Sequence, residues 1–519
     1  MSSWNVHLVR RSGCILAILV LFLAGAGRAH AQGADCTGVS PSTTGSVTWT
    51  PQWCEEFNAA TAGAPDTTVW SFDLGNGGFG NNEIETYCGP PGYAGNPSNC
   101  PTTFSASTSN AYLDGGGPNG HLVIQAINNN GTWFSARMKT QGLQDFQYGR
   151  IEASIQLPDT TNQGLWPAFW SLGSNIATVP WPACGETDVM EVWSTSVLNG
   201  PGPTGNRSTL HTSVTKGFGL QPNGSFTFLP GQANNTGFHT YGMIWSANMQ
   251  QFYIDDPLHP YYIATLSDLP SGDTWPFNAK LFLLTNIAVG GTLGGTPSGA
   301  TPNPAIMTFD YVRQYQAAAV PAPALGTPPA ISLKAGATSG NSSTFNPALT
   351  TGTGYVYFSC STNAPKATCS VATTDPLNTH VINSSAPAPE SVTVSVMTTT
   401  NAAAFPSTPT TFLMSPKMRV WLPIALVGLI LSTFLAQIQR GRSRAWLCNC
   451  TLIAGLILMG AGTPSCGGGS NNTQVTPPGN NGTPPGSYTV TVYAFTESNA
   501  GNGSNSSADA SVAIPLTVN

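Results

Sequence analysis

Three acids fall within six residues in the stretch Gly185-Glu186-Thr187-Asp188-Val189-Met190-Glu191-Val192-Trp193, although only 8% of the chain is charged. Paired carboxylates at this density suit cleavage of glycosidic bonds. One acid protonates the leaving oxygen, and the other attacks the anomeric carbon or activates water. Retention of configuration needs the pair about 5–5.5 Å apart, and inversion about 6.5–9.5 Å. The competing readings are a solvated strand end or a calcium site. The apolar and aromatic flanks, Trp181, Val189, Val192 and Trp193, favour acids with perturbed proton affinities over surface acids.

An element must bring the three acids together. On a regular strand, side chains alternate between faces. Glu186 and Asp188 then share one face and Glu191 points to the other. One extra residue, Val189 or Met190, in a β-bulge returns Glu191 to the face of its partners, and bulges are over-represented beside active sites. The surrounding sequence supplies suitable strands. "HLVIQAI" (121–127), "RIEASIQL" (150–157), "QQFYIDD" (250–256) and "AKLFLLTNIAV" (279–289) alternate with Gly-, Pro- and Asn-rich turns. This pattern predicts one large β-sandwich from about Ser46 to Gln316 rather than βαβ repeats. Trp166 and Trp170 lie four apart and share a strand face, which suits the apolar faces of sugar rings. Trp181 is placed as a rim residue, and Trp193 on the face of Glu191 beyond the bulge.

With these strings in view, the sequence resembles the glycoside hydrolases of family 16, in their laminarinase-like form. "ETDVME" matches that family's E-x-D-x-x-E signature. "YGRIEASIQLP", "GLWPAFWSLG", "FGNNEIETY", "FHTYGMIW", "NIAVGG" and "FDYVRQYQ" resemble the family's other segments in the expected order, over roughly Thr48 to Gln316. Thr187 departs from it, since the family more often has an aliphatic residue there. The resemblance implies an all-β jelly-roll sandwich with a concave substrate groove. It also implies a retaining double displacement, with Glu186 as nucleophile, Glu191 as general acid/base and Asp188 between them. By the same resemblance Asn82, Arg137 and His211 join Trp166, Trp170, Trp181 and Trp193 as substrate contacts. A structural Ca²⁺ away from the groove is a further implication, with Glu56, the carbonyl of Gly120 and Asp310 as ligands; the chemistry itself requires no cofactor.

The rest of the chain sets the context. Residues 1–31 read as a signal peptide: a basic Arg10-Arg11, an apolar core and "AHA" before Gln32. Export permits disulfides, and Cys36/Cys54, Cys88/Cys100 and Cys360/Cys369 are the sequence-near pairs, leaving Cys184 without an obvious mate. A net charge of -6 gives no basis for a nucleic-acid partner. After the catalytic segment (32–316) comes a linker at 317–330. A β region at 331–412 follows, and with the closing strand segment at 487–519 it resembles bacterial immunoglobulin-like modules. Between them lies a candidate membrane hairpin at 417–461, with apolar helical runs within 420–461. Arg440, Arg442 and Arg444 stand between these runs. A low-complexity linker spans 462–486. The sequence therefore predicts an exported glucanase, extracellular, periplasmic or surface-attached, that takes a β-1,3-glucan. Alternatives are a same-fold hydrolase or transglycosylase acting on mixed-linkage glucan, agarose or carrageenan, and a non-catalytic glucan-binding or adhesion protein. Nothing in the sequence fixes the oligomeric state.

Overall fold

A computed structural model of the chain describes residues 35–44, 47–213, 224–318, 322–349, 354–384, 390–400, 482–496 and 508–519. The expected signal peptide and both apolar runs of the expected membrane hairpin lie outside the described residues. Among the described residues, no helix is long and apolar enough to cross a membrane.

The site sheet has seven strands. In chain order they are β1 (Ser71–Asp73), β2 (Arg137–Lys139), β3 (Leu165–Gly173), β4 (Glu186–Glu191), β5 (Gly205–His211), β6 (Gly224–Thr227) and β7 (Leu281–Val289). In space the order is β6-β5-β4-β3-β7-β2-β1. The acid-bearing β4 thus lies between the Trp-bearing β3 and β5. A second, eleven-stranded sheet is built largely around Gly149–Gln156, His239–Ser246 and Ala305–Ala317. Together the two sheets form the all-β jelly-roll sandwich.

Alternation explains which side chains meet the core. On β3, Leu165 and Phe169 enter the main core between the sheets. Ala168, Trp170 and Leu172 instead pack with Phe282 and Leu284 of β7 on the opposite face. Burying each large apolar side chain contributes about 1.5–3 kcal/mol, so a one-residue slip of β3 would move its whole apolar set out of the core.

The same rule isolates the irregularity in β4. Val189 and Met190 are consecutive, yet both lie in the main core. Trp170 pairs with Asp188 and Phe169 with Met190, which leaves Val189 without a partner on β3. Against β5 the register jumps between Asp188 and Glu191. This is the bulge that the acid spacing demands. Entry into β4 is tight: Gly185 holds φ +86°, and a Cβ there would stand 2.8 Å from Pro276.

The described strands after residue 330 form a smaller sandwich with its own core, including Val356, Phe358, Val394, Val492 and Ile514. Gly486–Thr496 pairs along its length with Tyr355–Thr362 and with Ala510–Val518, so the closing segment shares one sheet with strands more than a hundred residues earlier. The chain divides into two units, Met1–Thr398 with Pro485–Asn519, and Thr399–Pro484. Within the second, the Thr483 amide donates to the Thr399 carbonyl at 2.9 Å. Disulfides join Cys36 to Cys54, Cys88 to Cys100 and Cys360 to Cys369, while Cys184 is a buried thiol.

Candidate active site

The bulge leaves main-chain groups of β4 without ladder partners, and side chains on the inner face of β5 take them up. The Asn206 Oδ1 accepts from the Glu191 amide at 3.2 Å. The Asn206 Nδ2 donates to the Val189 carbonyl at 3.2 Å and to the Tyr261 hydroxyl at 2.9 Å. Ser208 also donates to the Val189 carbonyl, at 2.9 Å. Buried main-chain polar groups need such partners, so Asn206 and Ser208 hold the bulge in shape.

With the bulge fixed, Glu186, Asp188 and Glu191 emerge on one face, away from the main core. Each glutamate accepts from a different indole. Trp166 Nε1 donates to Glu191 Oε1 at 3.0 Å, and Trp181 Nε1 donates to Glu186 Oε2 at 2.5 Å. His211 comes from β5 directly opposite Glu186. Its Nε2 lies 3.1 Å from Asp188 Oδ2 and 3.8 Å from Glu186 Oε1.

These contacts set the proton affinities. Burial, reinforced by the negative charge of Asp188, pushes the Glu186 carboxyl up to about 7. The same two causes hold Glu191 well above the usual carboxylate range. Burial works against charge on His211. Its hydrogen bond to Asp188 and the surrounding carboxylates outweigh that and push it up to about 10. The cluster therefore favours an imidazolium beside Asp188 and Glu186, and a Glu191 that holds its proton more tightly than an ordinary carboxyl. Carboxyl groups whose environments raise them toward neutrality suit acid/base work.

The other sequence-derived residues fall into distinct settings. Trp181 is 42% exposed and forms an open rim. Trp166 is half-buried. Trp170 is only 9% exposed, and the Arg137 guanidinium sits 4.7 Å from its ring centroid. Arg137 also forms an ion pair with Asp73, at 3.0 Å. Trp193 is 1% exposed, with its Nε1 donating to the Val197 carbonyl and Arg207 covering one ring face. Expected as an open sugar contact, Trp193 is instead buried and serves as a floor for Arg207, because the 194–204 loop folds over it. Asn82 occupies a left-handed turn at φ 60°, a conformation Asn tolerates better than most residues.

A buried chain behind Trp170 escapes a reading of the sequence alone. Trp170 Nε1 donates to Asn286 Oδ1 at 2.9 Å. Asn286 Nδ2 donates to the Tyr87 hydroxyl at 3.2 Å, and that hydroxyl donates to Glu83 at 2.8 Å. Glu83, next to Asn82, is buried. Its neighbour Glu85 is pushed up to about 8 by burial and by the charge of Glu83. The available signal was register: Asn286 in "TNIAVGG" stands opposite Ala168, midway between Trp166 and Trp170.

The residues expected as calcium ligands are Glu56, Gly120 and Asp310. Both carboxylate oxygens of Glu56 accept from Arg313, each at 2.7 Å, so this side chain is already engaged. Gly120 lies against the turn after Glu56, where a Cβ would stand 2.7 Å from the Phe57 carbonyl. Asp310 sits at a register shift between Phe309 and Tyr311.

The fold and the acid cluster together define a glycoside hydrolase. The chain belongs to the glycosyl hydrolases family 16, whose family model matches residues 103–293. It is 30% identical over 321 residues to a beta-glucanase of Rhodothermus marinus, covering 60% of this chain and 95% of that protein. It is 28% identical over 291 residues to glucan endo-1,3-beta-glucosidase A1 of Niallia circulans, covering 51% of this chain but only 37% of that protein. Among solved structures, the endo-beta-1,3-glucanase of Pyrococcus furiosus is 30% identical, with a TM-score of 0.44, over 54% of this chain and 99% of that one.

Proposed function

We propose that the protein cleaves internal bonds of a laminarin-like β-1,3-glucan with retention of configuration. The observation that carries this reading is the bulge at Val189, which returns Glu191 to the face of Glu186 and Asp188. Glu191, holding its proton, donates it to the glycosidic oxygen while ionised Glu186 attacks the anomeric carbon. The bond to the leaving sugar breaks and a glycosyl ester to Glu186 forms. Water then attacks the same carbon and gives its proton to Glu191, and Glu186 departs as carboxylate. The Trp181 indole and the His211 imidazolium stabilise the negative charge of Glu186 before attack and after release. The choice of β-1,3-glucan draws on the names of the similar enzymes and on the laminarinase-like strings.

Export is part of the same proposal, supported by the N-terminal segment and by three joined cysteine pairs. So is membrane attachment through 420–461, supported by the Arg-rich segment between two apolar runs.

Purified protein tested on laminarin, mixed-linkage glucan, agarose and carrageenan decides the substrate. Laminarin cleavage is expected to dominate. Clear cleavage of another polymer without laminarin would overturn the choice, and binding without cleavage would make the protein a glucan-binding one. Glu186→Gln and Glu191→Gln are each expected to lower kcat by at least about 10³-fold.

A further inference from the structure

The register of β5 against β4 places three side chains beside the three acids: His211 opposite Glu186, Thr209 opposite Asp188, and Arg207 opposite Glu191. Cross-strand partners project from the same face, so Arg207 emerges on the acid-bearing face. It lies on the flank of Glu191 away from Trp166 and Trp170.

The setting of Arg207 is unusual for a guanidinium. It forms no ion pair among the described residues, unlike Arg137, Arg150 and Arg313. Its Cζ lies 4.8 Å from the ring centroid of buried Trp193. Its only protein acceptor among the described residues is the Asn199 carbonyl, reached by Nη2 at 3.3 Å. Its Nε is buried without a partner. The supporting loop is tightly seated: a Cβ on Gly200 would stand 2.4 Å from both the Ser194 carbonyl and Trp193. Leu198 and Asn199 hold φ of 46° and 53°, and Leu198 is 64% exposed at the rim. Stacking on an aromatic face fixes the plane of a guanidinium and leaves its N–H edge free to donate. A fixed fork of donors with only one nitrogen engaged by the protein suits neighbouring hydroxyls of a sugar ring.

We propose that Arg207, stacked on Trp193 and steadied by Asn199, forms a subsite that hydrogen-bonds the sugar on the leaving-group side of the cleaved bond. The side follows from its position opposite Glu191, the acid that protonates the leaving oxygen. This inference rests on the retaining β-1,3-glucanase reading above.

The test compares two β-1,3-linked substrates, one with a sugar leaving group and one with an aryl leaving group. They are a β-1,3-linked glucose pentasaccharide and an aryl β-laminaribioside. Arg207→Met is expected to lower kcat/KM for the pentasaccharide by about 10- to 100-fold, the range for a lost charge-assisted hydrogen bond. The ratio of the two kcat/KM values is expected to fall about 10-fold or more. Arg207→Lys keeps the charge but not the fork, and is expected to lie between Arg207→Met and wild type. Equal losses on both substrates would overturn the subsite and make Arg207 a support for Glu191 or the loop. No loss on either would also overturn it. If the wild type cleaves neither substrate, the glucanase reading itself fails.

Discussion

At the scale of single residues, the site turns on how one proton is held among three carboxylates. In the proposed double displacement Glu186 has to be ionised to attack, and its affinity is raised to about 7 by burial and Asp188. It is therefore neutral below that pH and active above it. Glu191 has to be protonated in that step, and its raised affinity favours the protonated form. The expected kcat/KM profile rises from pH 5 toward about 7 and stays high until Glu191 ionises. The His211 charge lowers the affinity of Glu186. Replacing it with Asn keeps a hydrogen-bond donor for Asp188 and removes the charge, so the acidic limb is expected to move to higher pH. Each unit of movement means about a tenfold loss below the limb. A limb that stays in place, or moves down, would separate His211 from the electrostatics of the site.

At the scale of elements, the bulge and its clamp decide where Glu191 points. Asn206 is buried and meets three partners at once: the Glu191 amide, the Val189 carbonyl and the Tyr261 hydroxyl. Asn206→Leu leaves the Glu191 amide without its partner in the core, while Ser208 still serves the Val189 carbonyl and the Tyr261 hydroxyl. It is expected to cost about 1–3 kcal/mol of stability, measured by denaturant unfolding. It is also expected to lower kcat more than it changes KM, because the acid moves while the walls remain. Unchanged stability and kcat would show that the bulge holds itself. The bulge was legible in the sequence because the 2-then-3 spacing of the acids cannot fit one face of a regular strand. The clamp was not, since Asn206 becomes meaningful only once the register of β5 against β4 is known. Trp193 shows the converse limit. Its phase relative to Glu191 could be read from spacing, but its burial depends on a loop that closes over it.

At the scale of the whole molecule, alternating short strands and turn residues were enough to read a large β-sandwich between Ser46 and Gln316. The strands before and after the apolar runs could be read as one small β module, but the pairing of Gly486–Thr496 with Tyr355–Thr362 in particular was not legible, because a strand's pattern reports which face is apolar and not which partner it finds. The smaller sandwich also contacts the catalytic one. Buried Asn378 donates to the Ile263 carbonyl at 3.2 Å and to Asp268 at 2.7 Å, and Tyr357 shares a hydrogen bond with Ser267 at 3.0 Å. Asn378→Leu is expected to lower unfolding stability by about 1–3 kcal/mol while kcat per folded molecule stays the same. An unaltered unfolding midpoint would mean that this contact contributes nothing to the fold. The central claim, that the bulge turns three acids into a retaining pair with its modulator, is tested most directly by the first product of laminarin cleavage. Proton NMR during early turnover is expected to show the β-anomer accumulating before mutarotation. The α-anomer appearing first would contradict double displacement through Glu186.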